Sequence, residues 1–365
     1  MKTYFIEPAA PLVFRSGRPF GHGGDAESLR FPLPTTLAGA WRTLGADQRK
    51  QSFSETLLEK PVWGPLAACR HEERIEPLFP KPADALYLKP EDTGKKQSYA
   101  LKPGELPAGS HCDLPEGLQP VFLDEAAGKG KPVSGPEWWS ESSVNNWLLG
   151  KTPGENLNNL GWTGPQPSKR MHVGPDTLAS DPGLLFQTEG LEFTDRHKRY
   201  GLLLRADPLS TPATIRLGAD GRLSSVWEAS NWPTMPESLA DQLDTANLIR
   251  LILVTPALFS AGWKPGWLDE ALTGSPPGVE GIRLKLIAAV VPRWEPVSGW
   301  DLAKQKPRAV RRMVSAGAVY WFQVQDGREA LSKLWMQPVS DELQDRRDGF
   351  GLVVPGIGKT WGKMP

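Results

Sequence analysis

Five histidines and two cysteines bound the acid–base, nucleophilic and metal chemistry open to this chain. His22 and His172 lie in basic stretches, where an imidazole near RNA can act as general acid or base for strand cleavage. It can equally stack or hydrogen-bond without cleaving anything. Neither has a visible partner arrangement, so binding without catalysis is the expectation. Cys69-x-His71 and His111-Cys112 offer four zinc-type ligands, but their spacing fits no usual structural site. A serine nucleophile lacks its Gly-x-Ser-x-Gly elbow. Two Gly-Lys-Thr triplets, at 150–152 and 358–360, resemble the end of a P-loop. The glycine required five residues upstream is Asn145 in one and Val353 in the other. No triphosphate site, cofactor or metal is expected.

Binding chemistry is better represented. In Arg15-Ser16-Gly17-Arg18-Pro19-Phe20-Gly21 two guanidinium groups flank a glycine and a ring follows, with Arg30 closing the stretch. Such a loop can grip anions or nucleotides. Lys169, Arg170 and His172 form a second basic group, and Arg222 follows the turn 218–221. Lys304, Lys306, Arg308, Arg311 and Arg312 fall within 302–312 with no acid among them. The run Gly349-x-Gly351-x4-Gly356-x-Gly358 alternates glycine with apolar residues, which lets a phosphate backbone approach main-chain N–H groups. Fifteen tryptophans, several in loops such as Trp162, Trp263, Trp267, Trp294 and Trp300, add stacking surfaces to what is mostly core.

The elements that must hold these residues can be read from periodicity. Strands are expected at 3–7 and 12–14. A helix follows with Leu37, Ala40, Trp41 and Leu44 on one face and Thr35 as cap. Gly39 inside that helix costs about 1 kcal/mol against Ala, which suggests close packing or close approach of a ligand. Residues 61–167, rich in Pro, Gly and Lys, read as a long loop insertion with short strand-like pieces at 85–88 and 121–123 and a short helix at 138–149. A long β-hairpin is expected at 169–193 with the basic group at its base. Strands at 248–254, 282–291, 318–324 and 350–354, with helices at 265–272 and 327–336, give the β-α-β-β-α-β order. The predicted fold class is therefore α+β, with two ferredoxin-like (RRM-like) domains. They span 1–240 and 241–365, the boundary falling within 231–247.

Equal numbers of basic and acidic residues, 42 each, argue against a wholly basic nucleic-acid binder but allow a local basic track. Two cysteines suit a reducing compartment, and no apolar run approaches the roughly 18 residues of a membrane span. A soluble cytoplasmic protein is expected.

The glycine pattern resembles the C-terminal loop of the repeat-associated (RAMP) CRISPR proteins. More narrowly, the chain resembles the third-subunit family of the type III-B (Cmr) effector complex. The resemblance is carried by 14–20, 32–42, Arg170-Met171-His172-Val173 with 183–193, 217–222, 254–257 with Gly262-Trp263, 298–301 and the glycine run. It fades between 62 and 167. It implies a non-catalytic subunit that grips the 5′ handle of crRNA, docks on the large palm-domain subunit and a backbone RAMP subunit, and serves antiviral defence. Arg15, Ser16, Arg18, Phe20, Arg30, Lys169, Arg170, His172, Arg222, Arg308, Arg311, Gly349, Gly351, Gly356 and Gly358 would contact RNA. Two rivals are a metal-independent endoribonuclease of the same superfamily, acting through His22 or His172, and a carbohydrate-binding protein using loop tryptophans.

Overall fold

In the computed structural model the described residues are 1–14, 29–52, 54–72, 74–91, 94–123, 130–152, 157–171, 187–195, 198–230, 232–301 and 306–361. The chain starts with β1 (Lys2–Pro8), α1 (Pro34–Gln48), β2 (Val62–His71) and β3 (Arg74–Pro80). Next come β4 (Ala85–Pro90), β5 (Gln97–Pro103), β6 (Val121–Leu123), β7 (Gly130–Pro132), β8 (Trp138–Ser140), α2 (Glu141–Leu148) and β9 (Gly161–Trp162). A hairpin of β10 (Gln166–Met171) and β11 (Gln187–Glu192) leads to β12 (Thr194–Asp195), β13 (Lys198–Ala206), β14 (Ala213–Leu217) and β15 (Arg222–Ala229). After α3 (Glu237–Leu243) the chain forms β16 (Leu248–Leu253), β17 (Thr273–Gly274) and β18 (Arg283–Val290). Four short strands follow: β19 (Glu295–Val297), β20 (Trp300–Asp301), β21 (Lys306–Pro307) and β22 (Arg311–Met313). The last elements are β23 (Val319–Asp326), β24 (Gln337–Pro338), α4 (Leu343–Arg347) and β25 (Leu352–Ile357).

The result is a strand-rich mixed α/β fold built on two sheets. The first runs β14-β15-β1-β13-β2-β3-β8-β9, with β12 beside β13; the second runs β17-β18-β23-β16-β25-β24. Alternation explains why the first sheet is buried on both faces. Tyr4, Ile6, Ala67, Cys69, Leu202 and Leu204 face a core shared with Leu37, Ala38 and Trp41 of α1. Phe5, Leu66, Ala68 and Leu203 face the other way, into a core shared with Ile249, Leu251 and Phe322 of the second sheet. The central strands of each sheet share one antiparallel order. Numbered along the chain, β15-β1-β13-β2 is fourth-first-third-second, and β25-β16-β23-β18 repeats it.

Five local expectations need correcting. Region 61–167 is not a loop insertion: β2, β3, β8 and β9 belong to the main sheet, and β4 to β7 form a separate four-stranded sheet. Gly64 and Pro65 lie inside β2 where the ladder to β13 is irregular, opposite the step from Leu203 to Arg205. An irregular ladder tolerates a proline that has no N–H to give. No helix forms at 265–272, because side chains satisfy its backbone instead: Asp341 accepts the Gly266 N–H at 2.9 Å, and Asp269 accepts the Thr273 N–H at 2.8 Å. The expected helix at 327–336 is a 3-10 helix over Arg328–Leu334, with Leu331 and Leu334 buried. Thr35 does not cap α1; Leu33 stands at the cap without a side-chain bond and Pro34 occupies the first turn. Of the strand expected at 12–14, only Leu12 pairs, in a lone bridge to Leu191.

Two buried arginines tie the sheets together. Arg42 of α1 donates to Asp348 at 2.6 Å and to the Lys60 carbonyl at 3.1 and 2.8 Å, and the two charged side chains are 5% and 6% exposed. Arg250 of β16 donates to Asp84 and to the Trp147 carbonyl, while Asp84 accepts Trp147 Nε1–H at 2.9 Å. Removing one member of such a pair strands a buried charge. Arg42→Met should therefore lose about 3–5 kcal/mol in denaturant unfolding, and the added Asp348→Leu should recover part of it. Unchanged stability in the single variant would show that the pair does not hold the fold. Gly39 is exposed, and a Cβ built on it meets nothing within 4 Å, so close packing is not its reason. Gly39→Ala should stabilise the chain by about 0.5–1 kcal/mol, read as a raised Tm.

Candidate nucleic-acid interface

The local chain path brings the roots of three basic segments together. Phe14 and Leu29 flank 15–28 and are joined there, Leu29 N–H donating to the Phe14 carbonyl at 2.8 Å. Beside this point Leu12 and Leu191 exchange backbone bonds of 3.0 and 2.7 Å, which pins the β10–β11 hairpin. Ala219 N–H donates to the Val13 carbonyl at 2.8 Å, which pins the turn before Arg222. Three sequence-distant basic segments are thus rooted within one short stretch, 11–14. Arg15, Ser16, Arg18, Phe20, His22 and His172 lie outside the described residues, as does the side chain of Arg170. Lys169 is exposed and faces Glu189 in register. It stands toward the far end of the stem, whose base is Gln166↔Glu192, rather than at the base as expected. Arg222 opens β15 opposite Leu217 and is half-buried.

A cleft of about 610 Å³ opens along the seam, between 29–33 and Pro65–Ala67 on one side and Glu295, Pro296, Met313 and Ser315 on the other. A small core beneath it sets its shape. Leu33, Leu258, Val297, Met313 and Phe350 are packed together with Leu29 against them. Arg30 projects at the cleft with 85% of its side chain exposed, bonded to Glu137 at 3.0 Å. An exposed pair of this kind contributes little and yields readily to a phosphate. Phe31 and Trp138 line the same cleft, half-buried, with ring centroids 5.3 Å apart. Behind them Trp138 touches Trp162, and Trp162 stacks on Tyr200 at 4.0 Å and 6°. The cleft thus presents a guanidinium beside two braced rings, the combination that grips a single strand by phosphate and base. Lys81 also lines it, but donates to the carbonyls of Ala85 at 2.6 Å and Pro82 at 3.2 Å, and burial lowers its pKa. Sequence reading missed Phe31 and Trp138, because only the fold brings residues so far apart together.

The strands β19 to β22 form a second hairpin-like arm, with β19 paired to β22 and β20 to β21. Its surface carries Trp294, 50% exposed, beneath the guanidinium of Arg312 at 5.2 Å, and exposed Val310 and Arg308. Arg311 is different. Both its terminal nitrogens bond Asp345 at 2.7 Å, with Glu342 at 3.5 Å, so it is engaged inside the protein, and the hydrogen bond to Asp345 raises its pKa.

The glycine run is also engaged inside the protein, which revises the expectation that it offers main-chain donors. Gly349, Gly351 and Gly358 N–H groups donate to the carbonyls of Arg346, Pro256 and Leu248 at 3.2, 2.7 and 2.9 Å. Gly349 has φ +94°, and a Cβ there would lie 2.6 Å from the Gly64 carbonyl oxygen. At Gly356 a Cβ would meet Leu148. These glycines are required, but by the chain's own backbone.

The candidate metal ligands are not grouped. Cys69 Sγ lies 3.4 Å from His71 Nε2, and burial pushes the Cys69 thiol up to about 11. Cys112 is exposed. Among the described residues no three His, Cys, Asp or Glu side chains could hold a metal ion. Nor, among them, is any helix long and apolar enough to cross a membrane.

The chain is similar to a subunit in a cryo-EM structure of the type III-B Cmr-beta complex bound to cognate target RNA. Identity is 13%, coverage is 97% of this chain and 96% of that one, and the TM-score is 0.51. A second structure of Cmr-beta, bound to cognate target RNA and AMPPnP, matches at 15% identity over 91% and 88%, with a TM-score of 0.46. No curated protein matches. The model of the CRISPR-associated protein family Cas_Cmr3 matches residues 4–357, and on that near-complete match the chain belongs to this family.

Proposed function

We propose that this protein is the crRNA-handle-binding subunit of a type III-B CRISPR effector complex, acting in the cytoplasm without catalysis of its own. The observation that carries the reading is the cleft in which exposed Arg30 stands beside Phe31 and Trp138, next to the roots of 15–28 and the β10–β11 hairpin. Membership of the Cas_Cmr3 family supports a place in a CRISPR complex. The Cmr-beta structure of similar fold is of a complex bound to RNA. In this reading Arg15, Arg18, Arg30 and Arg170 hold phosphates, and Phe20, Phe31 and Trp138 offer rings. The hairpin parts handle from guide, and the chain docks on the palm-domain and backbone RAMP subunits. We also read the two sheets as divergent ferredoxin-like domains. The recurrent fourth-first-third-second order supports this, although the second crossover of the first sheet and the first crossover of the second contain no α-helix.

A salt titration of labelled 5′-handle RNA tests the grip. For a single strand, the slope of log K against log salt flattens by about 0.7 for every phosphate that is no longer neutralised. Arg15→Ala/Arg18→Ala should therefore weaken binding and give a shallower slope. Phe31→Ala should cost roughly 1–3 kcal/mol with the slope unchanged, because a stacked ring releases no counterion. Arg311→Ala, whose partner is Asp345, should lower Tm but leave the slope alone. Identical affinity and slope in the double arginine variant would move the site elsewhere. Incubating the wild-type chain with precursor crRNA, without metal, should give no cleavage. Cleavage abolished by His22→Ala or His172→Ala would establish the ribonuclease reading instead.

A further inference from the structure

The two Gly-Lys-Thr triplets meet in the fold. Lys359 Nζ donates to the Gly150 carbonyl at 3.2 Å, across 209 residues of sequence. Together they border a pocket of about 280 Å³ that lies between β5, the C-terminal end of α2 and the end of β25. Its lining includes Lys102, Lys151, Lys359 and Arg250, and no carboxylate among the described lining residues.

Part of this charge has a structural duty. Arg250 is paired with buried Asp84, and Arg250 and Lys359 each bond a carbonyl at the end of α2, the electronegative end of a helix. That duty does not exhaust the donors. An ammonium carries three, so Lys359 keeps two beyond its bond to Gly150. Lys151 is exposed at the rim, and Lys102 is held with its Nζ 3.7 Å from the Trp361 ring centroid. Lys151 and Lys359 both line this small pocket, and two like charges there favour an anion between them. The wall also contains two polar atoms without a hydrogen-bond partner, Ser98 Oγ and Arg250 Nε, in residues 3% and 5% exposed. Buried polar atoms are normally satisfied, so two orphans on one wall mark a place where a ligand completes the bonding. The half-buried Tyr99 ring adds an apolar face beside them.

We propose that this pocket binds the phosphate of a single nucleotide, either free or carried in an RNA strand. Lysine suits phosphate as a point charge with rotatable donors. The volume, just under the roughly 300 Å³ at which ordinary ligand pockets begin, suits one nucleotide. The site shares no residue with the cleft at Arg30, so either can fail without the other.

The full chain should be titrated calorimetrically with pyrophosphate, AMP and ATP, and separately with a 5′-phosphorylated RNA oligonucleotide. Binding should fall at least about tenfold in Lys151→Glu/Lys359→Glu, as expected when two charge-assisted bonds are removed. It should fall to a lesser degree in Ser98→Ala. Melting curves serve as the check that each variant is folded. Lysine-dependent binding of the free nucleotides supports a small-molecule source, and lysine-dependent binding of RNA alone supports a strand. No heat with any of these probes, or heat indifferent to the lysine substitutions, overturns the proposal.

Discussion

The interaction on which the rest depends is the buried ion pair of Arg42 and Asp348. Each charge would be costly alone away from water, and the pair is retained only because neighbouring groups complete its bonding. The Lys60 carbonyl takes two guanidinium bonds, and Gln344 Nε2 gives one to Asp348 at 2.8 Å. This places α1 against α4 and fixes where the chain enters Gly349. From there the geometry has little freedom, since Gly349 passes so close to Gly64 that no side chain fits. Phe350 is then driven into the small core under the cleft, against Leu33 and Met313. The shape of the candidate RNA surface is thus set from beneath, by an electrostatic pair buried in the protein.

The repeated strand order explains why the surface lies at the seam. In both sheets the arm that projects is inserted at the same point, between the second and third central strands: β10–β11 before β13, and β19–β22 before β23. The sheets share one continuous core through Phe5, Leu66 and Leu203 on one side and Ile249, Leu251 and Phe322 on the other. The cleft opens where the second arm meets the chain leaving Phe14 and returning at Leu29. Two sheets with one order of central strands, sharing a core, thereby supply opposite walls of a groove.

What could be read in the sequence depended on how local the determining forces were. β1, β16, β18 and β23 were legible because each is an apolar run whose length fixes its state. Helix α1 was legible because Leu37 and Trp41 share a face. β2 was not, because Gly64 and Pro65 are breakers everywhere except at an irregular rung, which depends on the partner strand. The helix expected at 265–272 gave way to Asp341, some seventy residues away, whose carboxylate takes the Gly266 and Ser260 N–H groups. The glycine run was read correctly as a place of close approach, but nothing local told which atoms approach. Phe31 and Trp138 carried no signal at all, being neighbours only across the folded seam.

Charge shows the same division between local and folded information. Lysine and arginine together are evenly matched by acid in composition, and the folded chain uses part of that acid to fix arginines as structural pins. Arg42, Arg250 and Arg311 bond Asp348, Asp84 and Asp345, each through a carboxylate that is itself buried. Arg311 therefore belongs with the pins although its sequence neighbours form the most basic stretch of the chain. A guanidinium so held cannot turn to a phosphate without stranding its carboxylate away from water. Arg30 is opposite in character, since both it and Glu137 remain solvated and their bond exchanges at little cost. Exposure of the partner acid, rather than local basic density, is thus what separates an exchangeable arginine from a structural one in this fold.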